Sequence, residues 1–274
     1  MTPSHLRQKP RASAIEAEKI RARVLFRDRM MLVLDKPAGI AVHAGPSGGR
    51  SLEDAFAALA FEQPRPPALA HRLDRDTSGC LVLGRHRKAL RKLGQLFAAG
   101  RIEKIYWAVT RGRPAQSEGR IEAPLRKKSK RGAGWRMETH PEGIAAVTDY
   151  RVLAEADGLA WLELRPRTGR THQVRVHCAL LGCPVVGDPV YGKVPGAVAA
   201  ANPAAHIHVA PLPGRPPLLH LHARAIVIPL YPAREPIAVE AQPPNHMIGV
   251  LRTLGWDEKV GVNLARDPVT VPGD

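Results

Sequence analysis

Short apolar runs, each closed off by charged residues or by Pro and Gly, recur along this chain and limit what it can fold into. VLF and MMLVLD follow Arg23, CLVLG follows Gly79, and IEKIYWAVT, AAVTDYRVL, LAWLELRP, LHARAIVIPL and PIAVEA come later. Runs this short, bounded by turn signals and rich in β-branched and aromatic residues, read as strands. The turn Ala156-Asp157-Gly158 separates two of them. Gly 24 and Pro 26 make up about 18 % of the 274 residues, above the roughly 12 % of an average protein, so many turns are expected.

Helical periodicity interrupts the strands without a regular βαβ repeat. Ser51 with Asp54 three residues on resembles a capping box opening LEDAFAALAF, which Pro64, Pro66 and Pro67 close. RHRKALRKLGQLFAAG carries Leu90, Leu93 and Phe97 at i, i+3 and i+7, a basic outer face, and Gly100 as its stop signal. Thr171 is placed to cap HQVRVHCALLG, whose apolar stripe is Val174, Cys178 and Leu181, and Asn245 to cap MIGVLRTLG. The expected class is therefore α+β rather than a doubly wound sheet. Residues 1–22 read as a basic extension with at most one short helix capped by Ser13, residues 23–243 as a single core domain, and residues 244–274 as a helix and tail. AGPSGGR at 44–50 reads as a loop, and the Ala-, Pro- and Gly-rich stretch 194–217 as an insertion loop. The basic run RKKSKR at 126–131 reads as a solvated loop or as a phosphate contact.

Lys+Arg number 41 against 25 Asp+Glu, a net charge of +16. Such a surplus makes a polyanion the default partner, because neutralising phosphates releases counterions. Nucleic acid is the first expectation; the competing reading is a basic protein of a GC-rich genome in which Arg replaces Lys. No window approaches the roughly 18 uninterrupted apolar residues of a membrane span, and MTPSHLRQKPRASAIEAEK lacks the apolar region of a signal peptide. A cytoplasmic location and no membrane partner are expected, and the charge favours a monomer. Cys80, Cys178 and Cys183 are odd in number and form no C-x-x-C, so they read as buried thiols rather than a disulfide framework.

Two polar clusters stand out. The first, His71-Arg72-Leu73-Asp74-Arg75-Asp76-Thr77-Ser78-Gly79, lies between strand-like ALA and CLVLG, where a loop holds its side chains at a surface or cleft. The second runs from Arg167-Thr168-Gly169-Arg170 through Thr171-His172-Gln173-Val174-Arg175 to His177, where a Gly turn feeds a helix N-terminus suited to an anion. On spacing alone each is equally well read as ion pairs pinning a loop to a helix.

Taken together and in order, they resemble the RluA-type pseudouridine synthases. The first is similar to that family's H-R-L-D-x-x-T-S-G segment and the second to its T-G-R-x-H-Q-[LIV]-R-x-H segment. LDKPAGIAVHAG resembles the upstream K-P-x-G-[LI]-x-V-H, Lys104-Ile105-Tyr106 the strand that carries a tyrosine, GCPVVGDPVYG the G-x-P-[IV]-x-G-D-x-x-Y-G that follows the arginine helix, and LHLHA the later L-H-A. The resemblance spans residues 24–243. It implies one catalytic domain centred on a mixed, mainly antiparallel sheet, and an isomerase acting on uridines of ribosomal RNA or transfer RNA. Many members carry a small RNA-binding domain ahead of this region, and with about 22 residues before the first strand none is expected here.

The chemistry so implied needs no redox cofactor, and no G-x-x-x-x-G-K-[ST] or credible G-x-G-x-x-G is present, so no cofactor is expected. A carboxylate that attacks sugar or base, or steadies the developing positive sugar, is required, and Asp74 is the candidate. An arginine neighbour favours the ionised carboxylate and aims it; by the resemblance that neighbour is Arg175. Tyr106 would lay a ring beside the uracil, and by the resemblance its hydroxyl helps remove the proton from carbon 5. A base in a stem must first swing out, and Arg72 resembles the family residue that fills the gap. His71, Thr77, Ser78 and Gly79 shape the turn, and His71 and Thr77 with Arg170 and His172 complete the substrate surroundings.

RNA affinity is then expected from Arg85, Arg87, Lys88, Arg91 and Lys92, and from Arg126, Lys127, Lys128, Lys130 and Arg131. Asp76 reads as a solvated loop residue, although an Asp74/Asp76 pair would suit a hydrolase. His206-x-His208 and His220-x-His222 each set two rings on one side of a strand, but without a Cys or carboxylate at ligand spacing no metal is expected. A silent RNA-binding or ribosome-assembly protein on the same scaffold is the alternative from another class.

Overall fold

The structure, a computed structural model, describes residues 14–45, 48–130, 134–193, 218–259 and 261–262. Helix α1 (Ala14–Arg21) leads into β1 (Val24–Arg27) and β2 (Met31–Lys36), followed by a 3₁₀ helix, Leu52–Leu59, and then β3 (Ala68–Leu69) and β4 (Ser78–Gly84). Helix α2 (Arg87–Ala98) precedes β5 (Glu103–Arg111), β6 (Glu118–Glu122) and a hairpin of β7 (Leu125–Lys130) and β8 (Gly134–Thr139). Strands β9 (Val147–Ala156) and β10 (Leu159–Pro166) follow, then α3 (Gln173–Leu180), β11 (Leu221–Ile228), β12 (Ile237–Glu240) and α4 (Asn245–Thr253).

Ten of the strands form one sheet in the order β1-β2-β4-β11-β5-β10-β9-β6, with β3 on β4 and β12 on β11. Its pairings are antiparallel except β4 with β11. Alternate residues supply two faces, as the pleat requires. In β2, Met31 and Val33 pack with Leu93 and Leu96 of α2, while Leu32 and Leu34 pack with Leu52, Phe56 and Leu59 of the 3₁₀ helix. In β5, Trp107 and Val109 meet Met247 and Leu251 of α4, while Ala108 meets Val174 and Cys178 of α3. Covered on both sides, these strands read as unbroken apolar runs. The fold is thus α+β in one domain, with a mixed and mostly antiparallel sheet. Among the described residues no helix is long and apolar enough to cross a membrane.

The parallel β4–β11 contact fixes the position of the first polar cluster. Its register sets Lys36, Gly79, Ala223, Tyr106 and Leu164 in one row across β2, β4, β11, β5 and β10. At Gly79 the backbone has φ +102, and a Cβ would stand 2.2 Å from the Ala223 carbonyl oxygen. Only glycine fits both the left-handed conformation and that approach. The loop before β4 is thereby brought against β5.

Several local expectations are corrected. LEDAFAAL forms a 3₁₀ helix rather than an α-helix, although the Ser51 backbone N–H does donate to the Asp54 carboxylate at 2.8 Å. Residues 125–130 are strand, not loop: paired with β8 from Leu125↔Thr139 to Lys130↔Gly134, they give no apolar alternation to read. Thr171 does not cap α3. That helix begins at Gln173 with His172 in the N-cap position at φ 55, and the Gln173 side chain organises the turn by accepting from the Arg170 N–H (3.0 Å) and the Thr168 hydroxyl (2.7 Å). Helix α4 has Pro244, not Asn245, at its N-cap. Ser13, residues 194–217 and residues 263–274 lie outside the described residues. All three cysteines are buried.

Candidate functional site

The loop before β4, the start of β5 and the turn into α3 enclose a cleft of ≈ 560 Å³. Asp74, Arg72, Lys104, Tyr106, Arg170, His172 and Arg175 line it, with His71 and Thr77 at its loop wall. The two polar clusters, a hundred residues apart in sequence, share this one space.

The loop that carries Asp74 is held from beneath by Lys36. Its buried ammonium donates to the carbonyls of Pro37 (2.8 Å), Arg75 (2.9 Å) and Thr77 (2.8 Å). Burial lowers its pKa to about 8, against the opposing pull of the Asp76 and Asp74 carboxylates. His71 anchors the other end by accepting the Val82 N–H at its Nε2 (3.0 Å), with its ring 4.7 Å from that of Phe97. Burial, with Lys104 nearby, lowers its pKa to about 3, so the ring is neutral. The Thr77 N–H donates to the Asp74 carbonyl (3.2 Å), closing the turn.

Asp74 points its carboxylate at α3. Its Oδ2 lies 3.4 Å from Nη1 of Arg175 and 3.8 Å from Nε2 of His172. Arg175 is held more tightly by Asp188, with Nε to Oδ2 at 2.7 Å and Nη2 to Oδ1 at 2.8 Å. Asp188 in turn accepts the N–H groups of Val190 (2.9 Å) and Tyr191 (3.0 Å). Burial raises the carboxyl's pKa, but Arg175 and those two N–H groups outweigh it and leave the group below its ordinary range.

The hydroxyl of Tyr191 accepts the Met137 N–H (2.9 Å) and so has its proton for His172 Nδ1, 2.9 Å away. That assignment leaves the His172 proton on Nε2, facing Asp74. Desolvation lowers the pKa of His172 even though Asp74 opposes it.

Tyr106 is the aromatic floor, packed between the core under the Asp74 loop and the core under α3. Burial first, and the Asp74 charge second, push its hydroxyl far above the ordinary phenol range. Beside it the Lys104 ammonium donates to the Thr168 carbonyl (2.9 Å), and burial with Arg170 nearby lowers its pKa to about 8. Arg170 is fixed by a bond from Nε to the Ala145 carbonyl (3.0 Å), and Arg72 is exposed at the rim. Asp76 faces Arg75 at 3.9 Å and is not among the groups lining the cleft, so the two acids of the loop do not form a pair. His177 sits under the helix, its nitrogens 2.9 Å from the Thr148 hydroxyl and 3.1 Å from the Ala123 carbonyl. His222 is likewise engaged at both nitrogens, by Ser78 (2.8 Å) and the Ala241 carbonyl (3.0 Å).

Among the expected RNA contacts, Arg87, Lys88 and Arg91 lie exposed on α2, and Lys92 is half-buried over the Tyr231 ring. Arg85 is a correction. Its side chain is buried, with Nη1 on the Asp28 carbonyl (2.6 Å) and Nη2 on Glu62 (2.7 Å), because it precedes the helix and turns into the core. Arg126 and Lys128 both bind Glu138 (3.0 and 2.7 Å), and Lys127 lies over the Trp135 ring. The Lys130 side chain and Arg131 lie outside the described residues. Sequence reasoning gave no role to Lys36, Asp188 or Tyr191, although all three stand in the segments KPAG and GDPVYG that it matched. Trp135 carried no signal.

A family model described as RNA pseudouridylate synthase matches residues 30–180. An uncharacterised RNA pseudouridine synthase of Zymomonas mobilis is 48 % identical over 62 % of this chain and 78 % of its own length. A mitochondrial RNA pseudouridine synthase 3 of Oryza sativa is 36 % identical over 78 % of this chain and 54 % of its own. Among solved structures, human RNA pseudouridylate synthase domain containing 4 superposes with a TM-score of 0.68 at 27 % identity, covering 88 % of this chain and 96 % of that one.

Proposed function

We propose, for a chain that belongs to the RluA-type RNA pseudouridylate synthase family, that Asp74 is the group on which isomerisation of uridine to pseudouridine turns. The protein is an RNA-acting isomerase. The observation that carries the assignment is a half-exposed Asp74 carboxylate in a cleft, 3.4 Å from a guanidinium supplied by a distant helix.

The reaction breaks the bond between uracil N1 and ribose C1′, turns the base, and joins C5 to C1′; the proton lost from C5 is balanced by one gained at N1. Asp74 supplies the negative group needed at the sugar or the base as the first bond opens. Arg175, fixed by Asp188, holds that carboxylate in place without having to be ordered on substrate binding. Tyr106 offers its face to the uracil. Because its hydroxyl is protonated in the resting cleft, any proton it takes from C5 is matched by one it gives up. Arg72, exposed at the rim two residues before Asp74, fills the space a flipped nucleotide leaves. His71, Thr77, Arg170 and His172 shape the walls.

The substrate class we favour is ribosomal or transfer RNA, met by a monomer whose residues 23–243 form the catalytic unit. Support comes from the net charge of +16 and the exposed cations of α2. The test is incubation of wild-type protein and Asp74→Ala with cellular RNA, followed by carbodiimide labelling and primer extension. Modified sites are expected with wild type and none with the variant. Sites that persist in Asp74→Ala would overturn the assignment. A wild type that modifies no RNA would favour a silent binder, and free uracil among the products a hydrolase.

A further inference from the structure

Trp135 is 47 % exposed, whereas Trp107, Trp161 and Trp256 are buried. It sits on β8 of a hairpin that also carries Arg126, Lys127, Lys128 and Arg136, and its ring lies parallel to that of His172, 5.3 Å between centroids at 18°. His172 in turn stands 3.8 Å from Asp74. We infer that Trp135 is a stacking platform for the base of a nucleotide flanking the target uridine. The inference rests on the reading of Asp74 as the reacting centre.

Two observations favour a ligand over packing. The His172 ring does not need Trp135 to hold it, because Nδ1 is already bound to the Tyr191 hydroxyl, itself fixed by the Met137 N–H. The indole, 47 % exposed on a polar hairpin, has only His172 and the flexible Lys127 side chain against its ring and no partner from the core, the arrangement that single-stranded nucleic acid exploits. The position also suits a neighbour rather than the target. Trp135 is separated from Asp74 by the whole imidazole of His172, so a base on the indole lies beside the reacting nucleoside and not upon it. Lys127, with Nζ 4.9 Å from the ring centroid, supplies a cation for the adjoining phosphate when a base takes its place over the ring.

Since the other three tryptophans are buried, a base cannot stack on them, and the part of the emission that a stacked base quenches comes from Trp135. The probe is an end-labelled stem-loop copied from a site the wild-type protein is first shown to modify, so a wild type without activity defeats the underlying reading before this one is addressed. In an Asp74→Asn background, which binds without turning over, adding the stem-loop is expected to quench tryptophan emission, and Trp135→Phe to abolish that quench. Trp135→Ala is expected to weaken binding roughly tenfold to a hundredfold and, with Asp74 restored, to raise KM while kcat stays within a few fold. A stem-loop with an abasic flanking position should lose the same factor with wild type and nothing further with Trp135→Ala. Unchanged affinity in Trp135→Ala, a fall in kcat alone, or wild-type binding indifferent to an abasic position on either flank would overturn the inference. Circular dichroism and the melting temperature of each variant separate these outcomes from misfolding.

Discussion

Asp188 grips Arg175 through two bonds of 2.7 and 2.8 Å and leaves Nη1 of the guanidinium facing Asp74 at 3.4 Å. The contact expected between Asp74 and Arg175 is therefore one end of a three-member chain whose far end is tied to backbone N–H groups of Val190 and Tyr191. Geometry at Asp74 is set by a residue that touches neither Asp74 nor the open cleft.

Asp188→Asn should separate orientation from charge. The amide retains one acceptor oxygen, so the two-pronged grip is lost and a buried guanidinium is left short of a partner. We expect kcat to fall about tenfold to a hundredfold with a smaller change in KM, and stability to fall by up to about 3–5 kcal/mol. Single-turnover kinetics and urea unfolding measure the two. Because Asp188 is held below its ordinary range, its contribution is complete above the unfolded carboxyl value near 4 and is lost as pH falls through the lower folded one. The variant should lack that acid-side decline. Wild-type kcat in Asp188→Asn would contradict the positioning role.

Lys36→Met tests the support under the Asp74 loop. Three carbonyls lose their donor, each at a cost of about 1–3 kcal/mol, offset in part by removing a buried charge. A lower melting temperature is expected, and a fall in kcat that exceeds the change in RNA affinity, since the loop rather than the phosphate-binding face slackens. Equal kcat in variant and wild type would show that the loop holds its shape without the lysine.

How far the sequence foretold this site depends on what each residue leaves in the pattern. Strands β2, β4, β5, β9, β10 and β11 were legible because burial on one or both faces demands apolar runs bounded by turns. The hairpin β7–β8 was not, since residues 126–129 are exposed and the side chains of Arg126, Lys127 and Lys128 meet Glu138 and Trp135 rather than an apolar core. Arg85 was misplaced because a charge beside a basic helix looks like part of it until the chain direction is known. Asp74, Tyr106 and Arg175 were found through motif order rather than through spacing. Asp188 and Lys36 stood in matched segments, but their work is to bind other site residues, and only coordinates pair them.

Buried neutral histidines predict an acid limit to stability. His71 has its pKa lowered to about 3, and His220 and His222 to about 4, all chiefly by burial. The unfolded chain takes up protons near 6.5 while the folded one does not, so it binds more protons throughout that window. Stability therefore declines as pH falls from about 6.5 toward 4, by up to about 1.4 kcal/mol per pH unit for each ring. Urea midpoints at successive pH values should fall steeply below 6.5. His71→Gln, which has no titrating group there, should fall less steeply. A midpoint that stays level from pH 7 to about 4.5 would refute the neutral assignment.

The exposed cations of α2 should carry affinity without choosing the uridine. Arg87, Lys88 and Arg91 project from one helix outside the cleft, and none of them lines it. Each phosphate contact removed lowers the slope of log affinity against log salt by about 0.7–0.9. Changing all three to Gln should weaken RNA binding, flatten that slope by about two, and leave the pattern of modified uridines and the saturated rate as in wild type. Changing Arg85 instead should reduce stability with little effect on the slope, because its guanidinium is spent on Asp28 and Glu62 inside the fold. Filter binding across a potassium chloride series distinguishes the two. An unchanged slope for the triple variant would move the phosphate-binding face away from α2.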